Sequence, residues 1–306
     1  MATGAFDVVV VGGGPAGLSA ALVLGRCRRS VLVLDDGEPR NAVAPALHGF
    51  LTRDGTPPLE LLRAGREELE RYGVAVRQER AMGARCVDDC APLEPMFEVT
   101  LANGGKVTAR RLLLATGVRD RLPEVEGARR YYGRGVYHCP YCDAWEHSDQ
   151  PLAVLGADAD AVAAALGLLT WSTDVTLLLD GGELPAAAAE RLSRNGVSTA
   201  SAPVVEILGD GERAHGVALE GGEELRVGAV FFHTQRHQAS DLPDMLGCIL
   251  DENEDVKVRG PQKTGVPGLF MAGDADGDVQ FVIVAAAEGA RAAVAINHDL
   301  QKEERA

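Results

Sequence analysis

Near its amino end the chain carries a glycine-rich turn between an apolar segment and an Ala/Leu-rich one. Residues 6–11 are mainly valine, which is typical of a strand buried in a parallel sheet. The turn at 12–17 is followed by a helical segment and by a second apolar strand at 31–34. A strand, a helix and a second strand within about 30 residues form a βαβ unit. The chain is therefore predicted to fold around an α/β sheet.

The spacing of the glycines in this turn indicates a dinucleotide site. Gly12, Gly14 and Gly17 form the pattern G-x-G-x-x-G, in which the first glycine permits the tight turn, the second a close approach to a pyrophosphate, and the third close packing of helix on strand. The helix N-terminus offers free N–H groups to phosphates. Asp35, 23 residues after Gly12, ends the second strand and can accept hydrogen bonds from ribose hydroxyls. The alternative is a glycine turn that binds nothing.

A second βαβ pattern begins at residue 152, with a strand at 152–155, a helix at 159–169 and a strand at 175–179. Near the carboxyl end, an apolar strand runs into Gly273-Asp274 and an Ala-rich helix follows. Because that strand resembles an element that closes a ligand site, we assign it to the first pattern rather than to the second. The second pattern then lies inside the first.

The predicted fold class is α/β, with two Rossmann-like three-layer nucleotide-binding domains, the second inserted into the first. A chain of 306 residues is long for a single hydrophobic core, which agrees with two domains. We expect the first domain to comprise residues 1–117 and 245–306, and the inserted domain to comprise residues 118–244.

The charge of the chain restricts its partners. A formal net charge of -15, without Lys/Arg clusters, argues against binding to nucleic acid or to an anionic membrane surface. No segment has the length and apolarity of a membrane span, and residues 1–7 lack the basic start of a signal peptide. We therefore expect a cytoplasmic protein, in which closely spaced cysteines serve redox chemistry or metal binding rather than structural cross-linking.

Cys139 and Cys142 form such a pair, in the sequence Cys139-Pro140-Tyr141-Cys142. At a helix start the pair can close a small disulfide, and the helix dipole stabilises a thiolate. Asp143 follows directly and can donate or accept a proton during thiol exchange. One alternative is a zinc site completed by Cys86 and Cys90. Another is a pair of inert core thiols, which the polar neighbours of the pair disfavour.

Four motifs in this order resemble the low-molecular-weight thioredoxin reductase family over nearly the whole chain. They are Gly12 to Gly17, Ala115-Thr116-Gly117, Cys139 to Asp143, and Gly273-Asp274. The resemblance implies an FAD domain split by an inserted NADPH domain, a homodimer, and dithiol–disulfide exchange. It implies that Cys142 faces the flavin and that Cys139 meets the substrate.

The same resemblance implies an FAD site, without any bound metal. Its residues would hold the pyrophosphate, the adenosine ribose, the ribityl chain and the isoalloxazine ring; they are Gly12, Gly14, Pro15, Ala16, Gly17, Asp35, Arg40, Asn41, Ala115, Thr116, Gly117, Gly273, Asp274, Gln280 and Phe281.

The second nucleotide loop departs from the family pattern. Reductases of the family carry Gly-x-Gly-x-x-Ala for NADPH and then a basic His-Arg-Arg stretch after the next strand. Here Asp158 replaces the middle glycine of the loop 156–161, and residues 179–182 contain no arginine. A carboxylate where a pyrophosphate approaches costs on the order of kcal/mol. NAD(P)H is therefore a doubtful cofactor, the alternative being NADPH bound in an altered geometry.

Residues 137–146 and the stretch His48-Gly49-Phe50 are similar to a branch of the family that oxidises dithiols of small natural products, the gliotoxin and holomycin dithiol oxidases. The resemblance implies a dithiol substrate and O2 as a possible acceptor. Members of that branch often carry His after the second cysteine, where this chain has Asp143. His48 is either a proton shuttle near the substrate or a histidine that caps a turn.

Three functions remain open at this point. The first is a flavin dithiol oxidase acting on a small dithiol. The second is a reductase of a thioredoxin-like protein, driven by NADPH or another donor. The third is a flavin redox sensor that signals through its disulfide without turnover.

Overall fold

The computed structural model describes residues 5–87 and 95–306. Contacts divide the chain into two compact units. The first unit comprises Met1–Ala42, Gly49–Arg119 and Arg236–Ala306, and the second comprises Val43–His48 and Asp120–Gln235. The second unit is thus built mainly from a segment inserted into the chain of the first. The assignment of the units as FAD-binding and NAD(P)H-type stays a prediction.

The first unit begins with the βαβ motif predicted from the glycine turn. Its strands and helices are β1 (Phe6–Val11), α1 (Pro15–Arg26), β2 (Val31–Asp35), α2 (Pro58–Glu70), β3 (Ala75–Gln78), β4 (Ala81–Val87), β5 (Met96–Leu101) and β6 (Lys106–Leu114), and, after the second unit, α7 (Leu242–Met245), β17 (Leu269–Met271) and α8 (Val282–Glu303).

The sheet of the first unit has a parallel core. β1 pairs with β2 on one side and β6 on the other, so that Val9 lies opposite Leu32 and Leu112. β3 extends the sheet beyond β2, and β17 pairs in parallel with the end of β6. The start of β6 pairs antiparallel with β5, and β5 with β4. The carboxyl ends of β1, β6 and β17 therefore lie side by side, the edge of a parallel sheet at which ligands bind.

Alternate residues of these strands pack on opposite faces of the sheet. Val8 and Val10 pack with apolar residues of α1, α2 and α8. Val9 and Val11 pack with β5, with α7 and with the loop that precedes β17. Both faces are thus covered, which explains why β1 is a continuous apolar run rather than an alternating one. The result is the predicted three-layer arrangement.

The second unit repeats this plan. Its elements are α3 (Ala128–Tyr131), β8 (Val136–Tyr137), α4 (Pro140–Asp143), β9 (Leu152–Leu155), α5 (Ala159–Leu168), β10 (Val175–Leu178), α6 (Ala186–Arg194), β11 (Ser198–Ala200), β12 (Val204–Gly209), β13 (Ala214–Leu219), β14 (Glu224–Arg226) and β15 (Ala229–Phe232).

A parallel sheet of order β11-β10-β9-β15-β8 is the centre of the second unit. One face packs against α5, α6 and Ala144, the residue that follows α4. The other face packs against the antiparallel sheet β12-β13-β14 and α3. The second βαβ pattern and its three-layer fold are therefore confirmed.

Two short strands lie where the chain passes from one unit to the other. β7 (Val118–Arg121) and β16 (Gln235–Gln238) pair with each other. Within the described ranges 5–87 and 95–306, no helix is both long enough and apolar enough to cross a membrane.

Candidate active site

The glycine turn between β1 and α1 is shaped by close backbone contacts. Gly12 has φ of +109°, and a Cβ there would lie 2.1 Å from the Ala115 carbonyl oxygen. At Gly14, by contrast, a Cβ would have no atom within 4 Å. α1 starts at Pro15 without a side-chain cap, so its first amides are not used by a neighbouring side chain. The turn therefore presents open space and N–H groups at a positive helix end, which suits a pyrophosphate.

Asp35 is held beside this turn by three groups. Its Oδ1 accepts hydrogen bonds from the amides of Gly13 at 3.2 Å and Gly37 at 3.3 Å. Its Oδ2 pairs with the Arg66 guanidinium of α2 at 2.5 Å. The ribose acceptor proposed from the sequence is thus fixed in orientation. Sequence reasoning missed Arg66, although its position on an otherwise amphipathic helix was visible.

Arg40, after β2, comes together with Asp274 and Gln280, which both lie in the segment between β17 and α8. The Arg40 guanidinium donates to Asp274 Oδ2 at 2.9 Å and to Gln280 Oε1 at 2.6 Å. Asn41 lies in the turn next to Arg40, and Phe281 occupies the N-cap position of α8. Five residues predicted from the family resemblance therefore flank the carboxyl ends of β2 and β17.

Ala115, Thr116 and Gly117 follow the end of β6, beside the glycine turn. The Thr116 hydroxyl is buried and has no hydrogen-bond partner among the described residues. A buried hydroxyl without a partner costs free energy unless a ligand satisfies it. Together with the open Gly14, the uncapped helix and the oriented Asp35, it makes these residues a fit for FAD.

Glu288 of α8 is a further buried group in the first unit that sequence reasoning missed. Its side chain is only 3% exposed and accepts a hydrogen bond from the Gly273 amide at 2.7 Å. Burial raises the pKa of Glu288 to about 7, and the nearby acids Asp274, Asp276 and Asp278 act in the same direction. The signal that could have found it is a single acid in an Ala-rich helical segment.

In the second unit, Cys139 and Cys142 are joined by a disulfide with a Cα–Cα distance of 5.3 Å. Cys139 is the N-cap of the short helix α4, and Pro140 occupies its first turn. The predicted disulfide at a helix start is therefore observed. The two sulfurs bond to each other rather than surrounding a metal. In the ranges 5–87 and 95–306, no group of three or more His, Cys, Asp or Glu residues has a metal-binding arrangement. Cys86 is disulfide-bonded, and Cys90 lies outside the described residues.

Asp143 ends the helix α4 and is half-buried beside two charged groups. Burial, together with the Glu146 carboxylate, raises the pKa of Asp143 to about 7, and His48 opposes the change. His48 Nε2 lies 3.4 Å from Glu146 Oε1. His48 therefore belongs to the same unit as the disulfide and to the same charged cluster as Asp143.

Two large aromatic side chains near the disulfide are exposed. Tyr141 and Trp145 are each 76% exposed, and Tyr141 also makes an edge-on contact with Trp171 at a ring-centroid distance of 5.5 Å. Exposed aromatics of this size commonly mark binding surfaces.

In the second nucleotide loop, the side chain of Asp158 caps the helix that follows the loop. Asp158 is the N-cap of α5, and its Oδ1 accepts a hydrogen bond from the Ala161 amide at 2.8 Å. One of the amides that would face a phosphate is thus already occupied by a carboxylate. After β10, Asp180 Oδ1 accepts from the Val204 amide at 2.7 Å, so this acid is also bonded to the backbone.

The sequence was compared with families of known proteins. Residues 6–289 match the family described as pyridine nucleotide-disulphide oxidoreductase. The chain belongs to that family. Because the match covers both units, the protein is an FAD-dependent disulfide oxidoreductase of the thioredoxin reductase type.

Individual members of the family are similar over almost the whole chain. A probable thioredoxin reductase of Arthroderma benhamiae is 31% identical, with 97% of this chain and 81% of that protein covered. The thioredoxin reductase sirT of Leptosphaeria maculans is 30% identical over 95% of this chain and 93% of its own length. The crystal structure of HlmI is similar with a TM-score of 0.95 and 37% identity, covering 99% of this chain and 95% of that one.

The resemblance to thioredoxin reductases, the α/β fold class and FAD as the cofactor are thereby confirmed. The individual roles of the site residues remain predictions. The structure brings the proposed FAD residues together in the first unit and His48, Asp143 and the cysteines together in the second.

Proposed function

We propose that this oxidoreductase is a dithiol oxidase, which converts a small dithiol to a disulfide and passes the electrons through FAD to O2. The observation that carries the proposal is the self-capped helix α5. In it the Asp158 carboxylate accepts a hydrogen bond from the Ala161 amide at 2.8 Å, at the helix end where a nucleotide pyrophosphate would have to bind.

Electrostatics supports the exclusion of NADPH. The positive end of a helix binds an anion because its amides are unpaired and its dipole is unopposed. In α5 Asp158 removes one amide and Asp160 adds a second negative charge in the first turn. The stretch 179–182 after β10 supplies no arginine for a 2′-phosphate. Repulsion between these carboxylates and an incoming pyrophosphate would therefore weaken binding by a free energy on the order of 1 kcal/mol or more.

The proposed exchange reaction balances in thiols and protons. One substrate thiolate attacks Cys139 Sγ, the Cys139–Cys142 bond breaks, and Cys142 leaves as a thiolate. The second substrate thiol, once deprotonated, attacks the substrate sulfur of the mixed disulfide, the bond to Cys139 breaks, and the substrate leaves as a disulfide. Cys139 leaves as a thiolate and takes up the proton that the first substrate thiol released to solvent, so that both cysteines end as thiols. Asp143, with its pKa raised to about 7, can give a proton to the leaving thiolate and take one from the second substrate thiol.

The residues proposed to hold FAD are those of the first unit. The amides at Gly14 and at the start of α1 would bind the pyrophosphate, Asp35 the adenosine ribose, and Thr116 the flavin portion. When bound, FAD supplies a two-electron acceptor that can return the cysteine pair to a disulfide and hand the electrons to O2.

A small dithiol is favoured as the substrate by similarity around the cysteine pair. Residues 137–146 resemble the gliotoxin and holomycin dithiol oxidases, and the chain is 37% identical to HlmI. The exposed rings of Tyr141 and Trp145 offer an apolar surface next to the disulfide.

Two other functions can be distinguished from dithiol oxidation by experiment, and the first of them has support. The names of the relatives from Arthroderma benhamiae and Leptosphaeria maculans favour a thioredoxin reductase, for which a thioredoxin-like protein would be the partner. A redox sensor would need only the disulfide and FAD, without turnover. Localisation in the cytoplasm and assembly into a homodimer stay predictions.

The deciding experiment is anaerobic reduction of the FAD-loaded protein. Dithiothreitol is expected to bleach the flavin absorbance on the timescale of a rapid-mixing measurement. NADPH is expected to leave the absorbance unchanged over the same time. Rapid bleaching by NADPH alone would establish the reductase instead. In air, many equivalents of H2O2 per protein with dithiothreitol would exclude the sensor. Cys139→Ser should abolish both signals, while the matched control Cys27→Ser, at an exposed free thiol, should retain them.

A further inference from the structure

Glu146 has no role in the exchange reaction as described, yet it contacts His48 and acts electrostatically on Asp143, the two groups that could handle protons there. It lies in the short 3₁₀ turn Trp145–His147 directly after α4, three residues beyond Asp143. Residues three apart on helical turns share a face. The same carboxylate lies 3.4 Å from His48 Nε2, although residue 48 is distant in the sequence.

We propose that Glu146 is a positioning residue for thiol exchange, which joins His48 and Asp143 into one proton-holding cluster beside Cys142. This inference rests on the proposed function. Glu146 contributes in two ways: its carboxylate fixes the imidazole of His48, and its negative charge keeps a proton on Asp143 near neutral pH.

The surroundings of Asp143 support the second contribution. The charged groups that act on Asp143 are Glu146 and His48, and Tyr137 on β8 is a further titratable neighbour. The adjacent Cys142 also titrates once its disulfide is reduced. His147 and Arg213 lie next, near Tyr137. Burial raises the pKa of Asp143 and Glu146 raises it further, so only His48 opposes protonation. Removing the Glu146 charge takes away a group that raises the pKa of Asp143 and leaves in place His48, which lowers it. The pKa of Asp143 should therefore fall, which favours its ionisation.

Asp143 must be protonated to give a proton to the leaving Cys142 thiolate. With a pKa of about 7, half of the molecules carry that proton at pH 7. If the pKa of Asp143 fell by about one, only about a tenth of the molecules would be protonated at pH 7. The rate of this step at pH 7 would then fall roughly fivefold.

The test uses the FAD-loaded protein and single-turnover bleaching by dithiothreitol under anaerobic conditions from pH 5 to pH 9, with each rate divided by the concentration of dithiothreitol thiolate, the attacking species. In Glu146→Gln we expect the midpoint near pH 7 to fall by about half a unit or more, with a several-fold slower reaction at pH 7. Glu146→Asp, which keeps the charge, should restore the midpoint. Glu183→Gln, at an exposed acid of the same unit, is the matched control and should leave the profile unchanged.

The outcomes separate the inference from the function on which it rests. If Glu146→Gln slows the reaction equally at every pH, or leaves the midpoint in place, Glu146 acts only on folding or not at all and the inference is wrong. If the wild-type protein is not bleached by dithiothreitol at any pH, the proposed function fails, whatever the variants do. Unchanged FAD absorbance and an unchanged melting temperature confirm that the variants are folded.

Discussion

Replacement of Asp158 by glycine tests whether the second unit has lost its nucleotide site through a single side chain. Asp158 caps α5 through the Ala161 amide. Because glycine is itself an acceptable N-cap, Asp158→Gly should cost only a few tenths of a kcal/mol of stability. The variant should therefore fold, and it restores the middle glycine of the family pattern.

The gain in nucleotide affinity follows from the charge that is removed. Two unit charges about 4 Å apart repel by about 1 kcal/mol in water and about 4 kcal/mol at the effective dielectric constant of a protein surface. The expected improvement is therefore on the order of 10-fold to 10³-fold in Kd. Asp158→Asn separates the two effects, since asparagine keeps the cap but has no charge. The nucleotide affinity of Asp158→Asn should lie between that of the wild type and that of Asp158→Gly.

Calorimetric titration with NADH and NADPH measures this directly. Since residues 179–182 contain no arginine for a 2′-phosphate, Asp158→Gly should not prefer NADPH to NADH. Tight binding of NADPH to the wild-type protein would refute the reasoning. So would equal, weak binding by all three proteins, because the carboxylate would then not be the obstacle.

Three further predictions concern the FAD turn and the proton-handling residues. Gly12→Ala should unfold the first unit or lower its melting temperature strongly, because the new Cβ would lie 2.1 Å from the Ala115 oxygen. Gly14→Ala, which has open space around its Cβ, should fold normally but lose FAD. If Gly14→Ala retained FAD, the proposed pyrophosphate position would be wrong. His48→Ala should lose dithiol turnover with FAD still bound, and unchanged turnover would leave His48 a turn residue. The bleaching rate divided by the concentration of dithiothreitol thiolate, the attacking species, should be highest below pH 7 and fall as pH rises through the Asp143 pKa of about 7. Asp143→Asn should flatten that profile, and a slope that survives in Asp143→Asn would assign the titration to another group.

The features that could be predicted from the sequence are those set by local pattern. β1, α1 and β2 were visible because a continuous apolar run, a glycine turn and a second apolar run leave few alternatives. The disulfide was visible because Cys139 and Cys142 are only three positions apart. In both cases, residues near one another in the chain determine the structure.

The features that could not be predicted depend on residues distant in the chain. Nothing in the sequence near Asp35 indicates that Arg66 pairs with it, and nothing near residue 48 indicates Glu146. Asp158 is an intermediate case. The sequence indicated a misplaced charge, while the structure adds that the charge serves as a helix cap. Such caps are recognisable from sequence, but only once the helix start is known.

The carboxylate that caps helix α5 also affects which conditions in the cell would control the rate of the reaction. A unit that binds no nicotinamide cofactor gains no stability from it, so neither its stability nor its conformation changes with the amount of cofactor present. If NADPH is excluded as proposed, the ratio of NADPH to NADP⁺ has no influence on the rate or direction of dithiol oxidation. The reaction would then answer to oxygen supply and to the concentration of its dithiol, even in a cell whose nicotinamide pool is strongly reduced.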